Sequence, residues 1–172
     1  MPGKLTKEEF ETMKEHTLID ASMLDKLEHY KDEKMIKIAY QICRWHHERW
    51  DGRGYPDGLK GEEIPISAQI VSIADVYDAM TSARVYRGAL CPFEVIDTMY
   101  KDAFTKFEPE YILPFLKNVA SSYINNDVRL SDGRIGKVVL INENALSLPI
   151  VQCEDEFIDL SKTRGLTVSA IL

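Results

Sequence analysis

The sequence contains few cysteines and no long apolar run. Its three cysteines, Cys43, Cys91 and Cys153, are far apart and form no CxxC pair, which argues against a disulfide framework and against a zinc site made of thiolates. No apolar stretch approaches the ~20 residues that are needed to cross a bilayer, and the N-terminus has no apolar signal-peptide region. We therefore expect a cytoplasmic protein with reduced cysteines and no membrane span.

Positive charge is also scarce. The chain has 21 Lys and Arg against 28 Asp and Glu, for a net charge of −7. This balance argues against a protein that coats DNA through a broad basic surface. A few local arginines can still bind a phosphate on an acidic protein. With 45% hydrophobic residues among 172, the chain can bury the core of one ordinary domain, or of one domain with a small appendage.

Helical patterns occupy the first part of the chain. Thr6 and Glu9 form a capping box that begins a first helix, which we expect to end near His16. Four glycines and Pro56 within residues 51–61 predict a loop. Apolar periodicity and helix-start signals predict the remaining helices at residues 20–29, 31–49, from Pro65 onward, 92–101 and 109–123.

The pattern changes near Asn125. Beyond it, short β-rich runs alternate with turn signals, which predicts strands at residues 128–130, 135–141, 149–151, 157–160 and 166–171. Ser131, Asp132 and Gly133 should close an antiparallel hairpin between the first two. The sequence therefore predicts a mainly α protein, with a helical domain at residues 1–124 and a small β-rich barrel or meander at residues 125–172.

Four residues are candidate metal ligands. Adjacent histidines on a helix point about 100° apart, so His46 and His47 suit two neighbouring ions better than one. Asp75 falls on the predicted apolar face of the next helix, where a carboxylate is costly to bury unless it is paired or bound to metal. His16 would complete the cluster. The same pattern also fits a solvated helix end, so spacing alone leaves both interpretations open.

A longer motif resembles a known family. Residues 46–65 read HHERWDGRGYPDGLKGEEIP, which closely resembles the signature segment of the HD-GYP family. Residues 74–82 and then Arg84-Val85-Tyr86-Arg87 follow in the family's order and at its usual distances. Residues 2–16 match the segment that leads to the family's third metal-ligand position. The resemblance covers about residues 1–117.

The resemblance implies an all-α bundle of the HD superfamily that cleaves cyclic di-GMP at a site of two or three divalent metal ions. The metal-ligand positions carried over are His16, His46, His47 and Asp75. The substrate-binding positions carried over are Gly54, Tyr55, Pro56, Arg84 and Arg87. Guanidinium groups suit the last two positions because they bind phosphate oxygens bidentately. Imidazole with carboxylate suits iron, manganese, zinc and nickel about equally.

The sequence also departs from the family. No His-Asp dipeptide occurs in it, and the family's His-Asp dyad lies upstream of the segment matched by residues 2–4. We therefore expect about half of the metal ligands, feeble or no hydrolysis by this chain alone, and a bundle open on one side that exposes residues such as Phe10, Met13 or Leu24. A partial or split gene is the expected origin; the alternatives are a short natural protein and a site completed by another chain.

Two other functions remain open at this point. One is a catalytically inactive module that binds a cyclic dinucleotide or interacts with other signalling proteins. The other is a phosphohydrolase of different nucleotides, against which the loop at residues 54–56 argues. The expected partners are cyclic di-GMP or a related cyclic dinucleotide, and other signalling proteins; DNA is not expected, and homo-oligomer formation is left open.

Overall fold

The structure is a computed structural model that describes residues 6–27, 33–83 and 88–172. The helices are α1 (Lys7–Asp25), α2 (Lys34–Trp45), α3 (Ile66–Thr81), α4 (Pro92–Asp102) and α5 (Pro109–Ser122), with a 3-10 turn at Gly61–Glu63. The strands are β1 (Asp127–Leu130), β2 (Ile135–Leu140), β3 (Ile150–Cys153), β4 (Glu156–Asp159) and β5 (Val168–Ile171). A mainly helical chain that ends in a small sheet is therefore confirmed.

The first helix is longer than the sequence pattern indicated. Its predicted capping box is present, because the Glu9 N–H donates to Thr6 Oγ1 at 3.2 Å and the Thr6 N–H donates to Glu9 Oε2 at 2.7 Å. The predicted end near His16 is wrong. Neither glycine nor proline interrupts the following residues, so the helix continues to Asp25.

The helix before the glycine-rich loop is shorter than predicted. The pattern placed its end at Arg49, whereas α2 ends at Trp45 and His46 is its C-cap. The His46 N–H donates to the Ile42 carbonyl at 3.1 Å, and the chain then turns. The predicted start of this helix, and the end predicted for the helix at residues 20–29, lie outside the described residues.

The chain divides into two compact units. One comprises Met1–Val76 with Phe104–Tyr111, and the other comprises Tyr77–Ala103 with Ile112–Leu172. Helices α3 and α5 each contribute residues to both units. A domain boundary at residues 124/125, where helix gives way to strand, stays a prediction.

The first unit is built on α1 packed against α2. Its fully buried apolar residues are few: Ala21, Ile64, Ala68, Ile73 and Phe107. Helix α2 has no fully buried residue. Of the apolar residues predicted to be exposed, Phe10 is 42% exposed, whereas Met13 and Leu24 are half-buried.

The second unit contains the sheet. Strands β1 to β4 form an antiparallel meander, and β5 pairs with the free side of β1, so the order is β4-β3-β2-β1-β5. This order leaves β4 and β5 as edges; the sheet is an open one and not a barrel. The β1–β2 hairpin turns at Gly133, whose φ of 94° explains the glycine. Helix α4 packs against β5, and both elements contribute buried apolar residues to this unit.

Candidate metal centre

His16 lies in the middle of α1 with its ring orientation held by the helix itself. Its Nδ1 is 2.6 Å from the carbonyl oxygen of Met13, one turn earlier. A carbonyl can only accept a hydrogen bond, so Nδ1 carries the proton and Nε2 is left with its lone pair. Metal-binding histidines commonly donate their other ring N–H to a backbone carbonyl in this way.

His46 is held in the same manner at the end of α2. Its Nδ1 is 2.8 Å from the carbonyl oxygen of Ile42, so Nε2 again offers the lone pair. The Nε2 atoms of His16 and His46 face each other at 3.5 Å. Two nitrogens bound to one ion at about 2.0–2.1 Å in tetrahedral geometry are about 3.4 Å apart. The pair therefore has the spacing of two ligands of a single ion.

His47 completes a cluster of three imidazoles. Its ring centroid lies 4.1 Å from that of His46 and 5.0 Å from that of His16. One candidate ligand atom from each ring lies within 4.8 Å of the other two. The predicted helix through both histidines ends earlier than expected: α2 ends at Trp45, and both histidines belong to the turn that follows.

The electrostatic surroundings keep His47 neutral. Burial of its imidazole, with the neighbouring His46, lowers its pKa to about 4, although the Asp75 carboxylate opposes this shift. At neutral pH the ring is therefore uncharged, which is the form that binds a metal.

Asp75 lies near the cluster on α3. Its Oδ2 is 4.0 Å from Nδ1 of His47, beyond hydrogen-bond distance. The expectation that Asp75 sits on an inward apolar face is wrong: its side chain is 44% exposed, and the neighbouring Ala74 is exposed as well. Three imidazoles and one carboxylate are a donor set that fits a divalent transition metal.

The glycine-rich loop packs directly on the histidine segment. A Cβ on Gly54 would lie 2.4 Å from Cα of Glu48 and 2.6 Å from the carbonyl oxygen of His47, so only glycine fits there. The next residue, Tyr55, donates its backbone N–H to the same His47 carbonyl at 3.3 Å. The Tyr55–Pro56 peptide bond is cis. Backbone contact thus fixes this loop beside the cluster.

The Tyr55 ring covers one side of His47. The two ring centroids are 4.8 Å apart with planes 32° from parallel, and Phe10 meets the Tyr55 ring edge-on at 6.3 Å. The ammonium group of Lys14 lies 5.6 Å from the Tyr55 ring centroid. Burial, with Asp75 nearby, raises the pKa of Tyr55 to about 12, so its hydroxyl stays protonated.

Two carboxylates that the sequence pattern did not single out hold this loop. Glu48 is only 3% exposed, and its Oε1 accepts the backbone N–H groups of Asp57 at 2.8 Å and of Gly58 at 2.9 Å. Asp57 in turn accepts two hydrogen bonds from the Arg44 guanidinium and one from Trp45 Nε1. A charged residue next to a glycine-rich loop is typical of a solvated turn, so the pattern contained no signal of this burial.

The remaining predicted site residues, Arg84 and Arg87, lie outside the described residues.

Within residues 6–27, 33–83 and 88–172, no helix combines the length and the apolar character that crossing a membrane requires.

Comparison with known proteins gives a consistent family. A family model described as "HD domain" matches residues 1–111. A "Cyclic di-GMP phosphodiesterase" from Vibrio cholerae serotype O1 is 44% identical over 116 residues, which are 67% of this chain and 24% of that protein. A "3'3'-cGAMP-specific phosphodiesterase 2" from the same organism is 33% identical over 111 residues, which are 64% of this chain and 20% of that protein.

The match to a third similar protein includes part of the strand region of this chain. It is named as a cyclic di-GMP phosphodiesterase from Pseudomonas aeruginosa and is 35% identical over 151 residues, which are 88% of this chain and 35% of that protein. The chain therefore spans between a fifth and about a third of the length of these three relatives.

Proposed function

The chain belongs to the HD domain family as an HD-GYP domain, and from this premise we propose that it forms the metal-binding and loop-bearing part of a cyclic di-GMP phosphodiesterase. The observation that carries the proposal is the convergence of three imidazoles beside the glycine-rich loop. The names of the similar proteins, most of which specify cyclic di-GMP, support the substrate.

In this proposal, His16, His46, His47 and Asp75 hold divalent ions. Bound divalent ions of this kind lower the pKa of a coordinated water and neutralise charge on a phosphate. The backbone carbonyls of Met13 and Ile42 support this role, because in the neutral rings they place the proton on Nδ1 and leave Nε2 of His16 and His46 as facing lone pairs. Iron, manganese, zinc and nickel all fit the donor set.

The loop has the substrate-side role in this proposal. Gly54 brings the backbone against the His47 segment, and Pro56 follows Tyr55 through a cis bond. The Tyr55 ring presents an aromatic face beside the cluster, a surface on which a nucleotide base can stack. We assign phosphate binding to Arg84 and Arg87, on the strength of their place in the motif and their bidentate chemistry.

A related cyclic dinucleotide is the second candidate substrate. It is favoured by the relatives from Vibrio cholerae that are named as 3'3'-cGAMP-specific phosphodiesterases and that are 33–38% identical to this chain. The two candidate substrates differ in a base and share their phosphates. The metal cluster would act on the phosphates, so it would serve both candidates. A cytoplasmic location, where such messengers act, stays a prediction of the sequence.

Two measurements on the purified chain test the proposal. Calorimetric titration with Mn²⁺ should give binding that a His46→Ala/His47→Ala double variant loses, and cyclic di-GMP should bind more tightly in the presence of the metal. Chromatography of the incubated nucleotide then separates hydrolysis from binding. Because we expect this chain alone to hydrolyse feebly or not at all, metal-dependent hydrolysis would identify the enzyme.

The matched control is Asp78→Asn, which changes an exposed carboxylate one turn beyond Asp75 on α3. Metal-dependent turnover of cyclic di-GMP that the double histidine variant leaves unchanged would refute the assignment of the site. Metal binding with preference for cyclic GMP-AMP over cyclic di-GMP would instead select the second substrate.

A further inference from the structure

Two buried side-chain oxygens in the first unit have no hydrogen-bond partner among the described residues. They are Oε2 of Glu48 and Oε1 of Gln69. The residues are 3% and 9% exposed, so bulk water does not reach these atoms. A buried acceptor without a donor costs about 1–3 kcal/mol, and native structures leave few of them. The third such atom, Nε of Arg49, is a donor, and its residue does not line the cavity described below.

The orientation of both groups is determined by their other hydrogen bonds. Nε2 of Gln69 donates to the carbonyl of Ile64 at 2.7 Å, and a carbonyl cannot donate in return, so the amide cannot be turned over. Oε1 of Glu48 already accepts the N–H groups of Asp57 and Gly58. The two oxygens without partners are therefore Oε1 of Gln69 and Oε2 of Glu48 in any consistent assignment.

Both residues line one small cavity. Its volume is about 10 Å³, close to the space that a single water molecule requires. Ser72 adds a third polar side chain to the lining, the charged residues Lys106 and Glu108 also border it, and apolar walls come from Trp50, Ile64 and Phe107. A cavity this small admits one monatomic ion or one water and nothing larger.

We propose that this cavity is a binding site for one water molecule or one small cation, which is held by Oε2 of Glu48 and Oε1 of Gln69. The occupant is either a water, which donates one O–H to each oxygen, or a dehydrated monovalent cation such as Na⁺. Both place positive charge between two acceptors that otherwise have no partner. The hydroxyl of Ser72 can accept from the water or coordinate the cation through its oxygen.

The site connects two segments of the first unit from the inside. Glu48 directly follows His47 and holds the glycine-rich loop, whereas Gln69 and Ser72 belong to α3, within two turns of Asp75. Through its contacts with Glu48 and Gln69, one occupant thus links the segment that carries His47 to the helix that carries Asp75. The inference goes beyond the proposed function and does not depend on it, because it rests on unpartnered oxygens and on cavity size.

A high-resolution crystal structure of the whole chain tests the proposal, with crystals grown in sodium salt and then soaked in Tl⁺. The expected result is one density peak between Oε2 of Glu48 and Oε1 of Gln69, at about 2.7–3.2 Å from both if it is a water and closer to them if it is Na⁺. A peak that acquires the anomalous signal of thallium identifies a cation site. A peak without that signal, at hydrogen-bond distance from both oxygens, identifies a buried water. A cavity without a peak, or direct contact between the two oxygens, overturns the proposal.

The variant Glu48→Gln provides the control. Its Oε1 can keep the two loop hydrogen bonds, while its amide Nε2 replaces the free oxygen. A water remains in place, because it can accept from the amide and still donate to Gln69. A cation is lost, because an N–H group repels it. If this variant does not fold, the wild-type peak and its anomalous signal still decide the question.

Discussion

The Nε2 atoms of His16 and His46 lie 3.5 Å apart, although thirty positions separate the two residues in the chain. Each imidazole donates its Nδ1 proton to a carbonyl of its own helix, so neither Nε2 carries a proton while the rings are neutral. Two facing lone pairs at this distance repel each other unless a proton or a metal ion lies between them. The packing of α1 on α2 thus builds an electron-rich gap that suits a cation.

Asp75 is expected to contribute to metal affinity. Replacing it by Asn removes the charge next to His47 with little change of shape, and we expect the Mn²⁺ dissociation constant to rise by roughly 10-fold or more. Calorimetric titration at neutral pH measures this change. Asp78→Asn, one turn along the same helix, should leave the constant within about twofold, since surface changes away from a site have small effects. Equal losses in the two variants would contradict a ligand role for Asp75.

Gly54 is expected to tolerate no side chain. A Cβ at this position would fall within 2.6 Å of three backbone atoms of residues 47–49, so the loop would have to move. We expect Gly54→Ala to lower the free energy of unfolding by about 1–3 kcal/mol, as overpacking does. Thermal unfolding measures this loss as a lower melting temperature, by roughly 2–4 °C for each kcal/mol in a chain of this size.

The control for this substitution is Gly88→Ala. Gly88 is exposed and has no positive φ, and a Cβ added to it would meet no atom within 4 Å, so its replacement should change the melting temperature only slightly. A Gly54→Ala variant as stable as Gly88→Ala would show that the loop does not rest against the histidine segment.

His47 should titrate far below an ordinary histidine in the metal-free chain. Burial, with His46 beside it, lowers its pKa to about 4, whereas the unfolded value is about 6.5. The unfolded chain therefore binds this proton first as the pH falls. The stability contributed by neutral His47 is complete above about pH 6.5 and is lost as the pH falls toward 4.

NMR detection of the imidazole nitrogens against pH measures this pKa directly. Tyr55→Leu removes the ring that covers His47, so the pKa should rise toward 6.5. Tyr55→Phe keeps the ring and should leave the pKa near 4. A His47 pKa of about 6.5 in the wild type would show that the imidazole is solvated.

The Arg44–Asp57 pair should stabilise the loop in a pH-dependent way. The Arg44 guanidinium binds both carboxylate oxygens, at 2.8 and 2.9 Å, and holds the pKa of Asp57 below its usual value. A carboxyl whose pKa is depressed stabilises the fold above the unfolded pKa of about 3.9, and that stability is lost as the pH falls through the folded value.

Urea unfolding at neutral and acidic pH tests this pair. Because both side chains are partly solvated, Asp57→Asn should cost about 0.5–1 kcal/mol at neutral pH and almost nothing in acid. Arg44→Lys keeps the charge but cannot bind both oxygens, so it should retain only part of the effect. A loss in Asp57→Asn that is equally large in acid would point to packing instead of charge.

Much of the local structure follows from the sequence alone. The Thr6–Glu9 capping box, the glycine-rich loop after the histidines and the hairpin at Gly133 are short-range features, and each depends on residues within a few positions of one another. The helix-to-strand change near Asn125 is likewise visible as a change of apolar period. The HD-GYP motif is one uninterrupted segment, so its recognition needed no tertiary contact.

Only the tertiary structure decided how the candidate ligands meet. Helix periodicity predicts only the angle between His46 and His47, whereas the approach of both rings to His16 depends on the packing of α1 against α2. The burial of Glu48 was equally hidden, because its partners are backbone N–H groups nine and ten positions away. A pattern read along the chain records spacing, whereas the direction of a ring and the burial of a carboxylate depend on which distant segments pack against them.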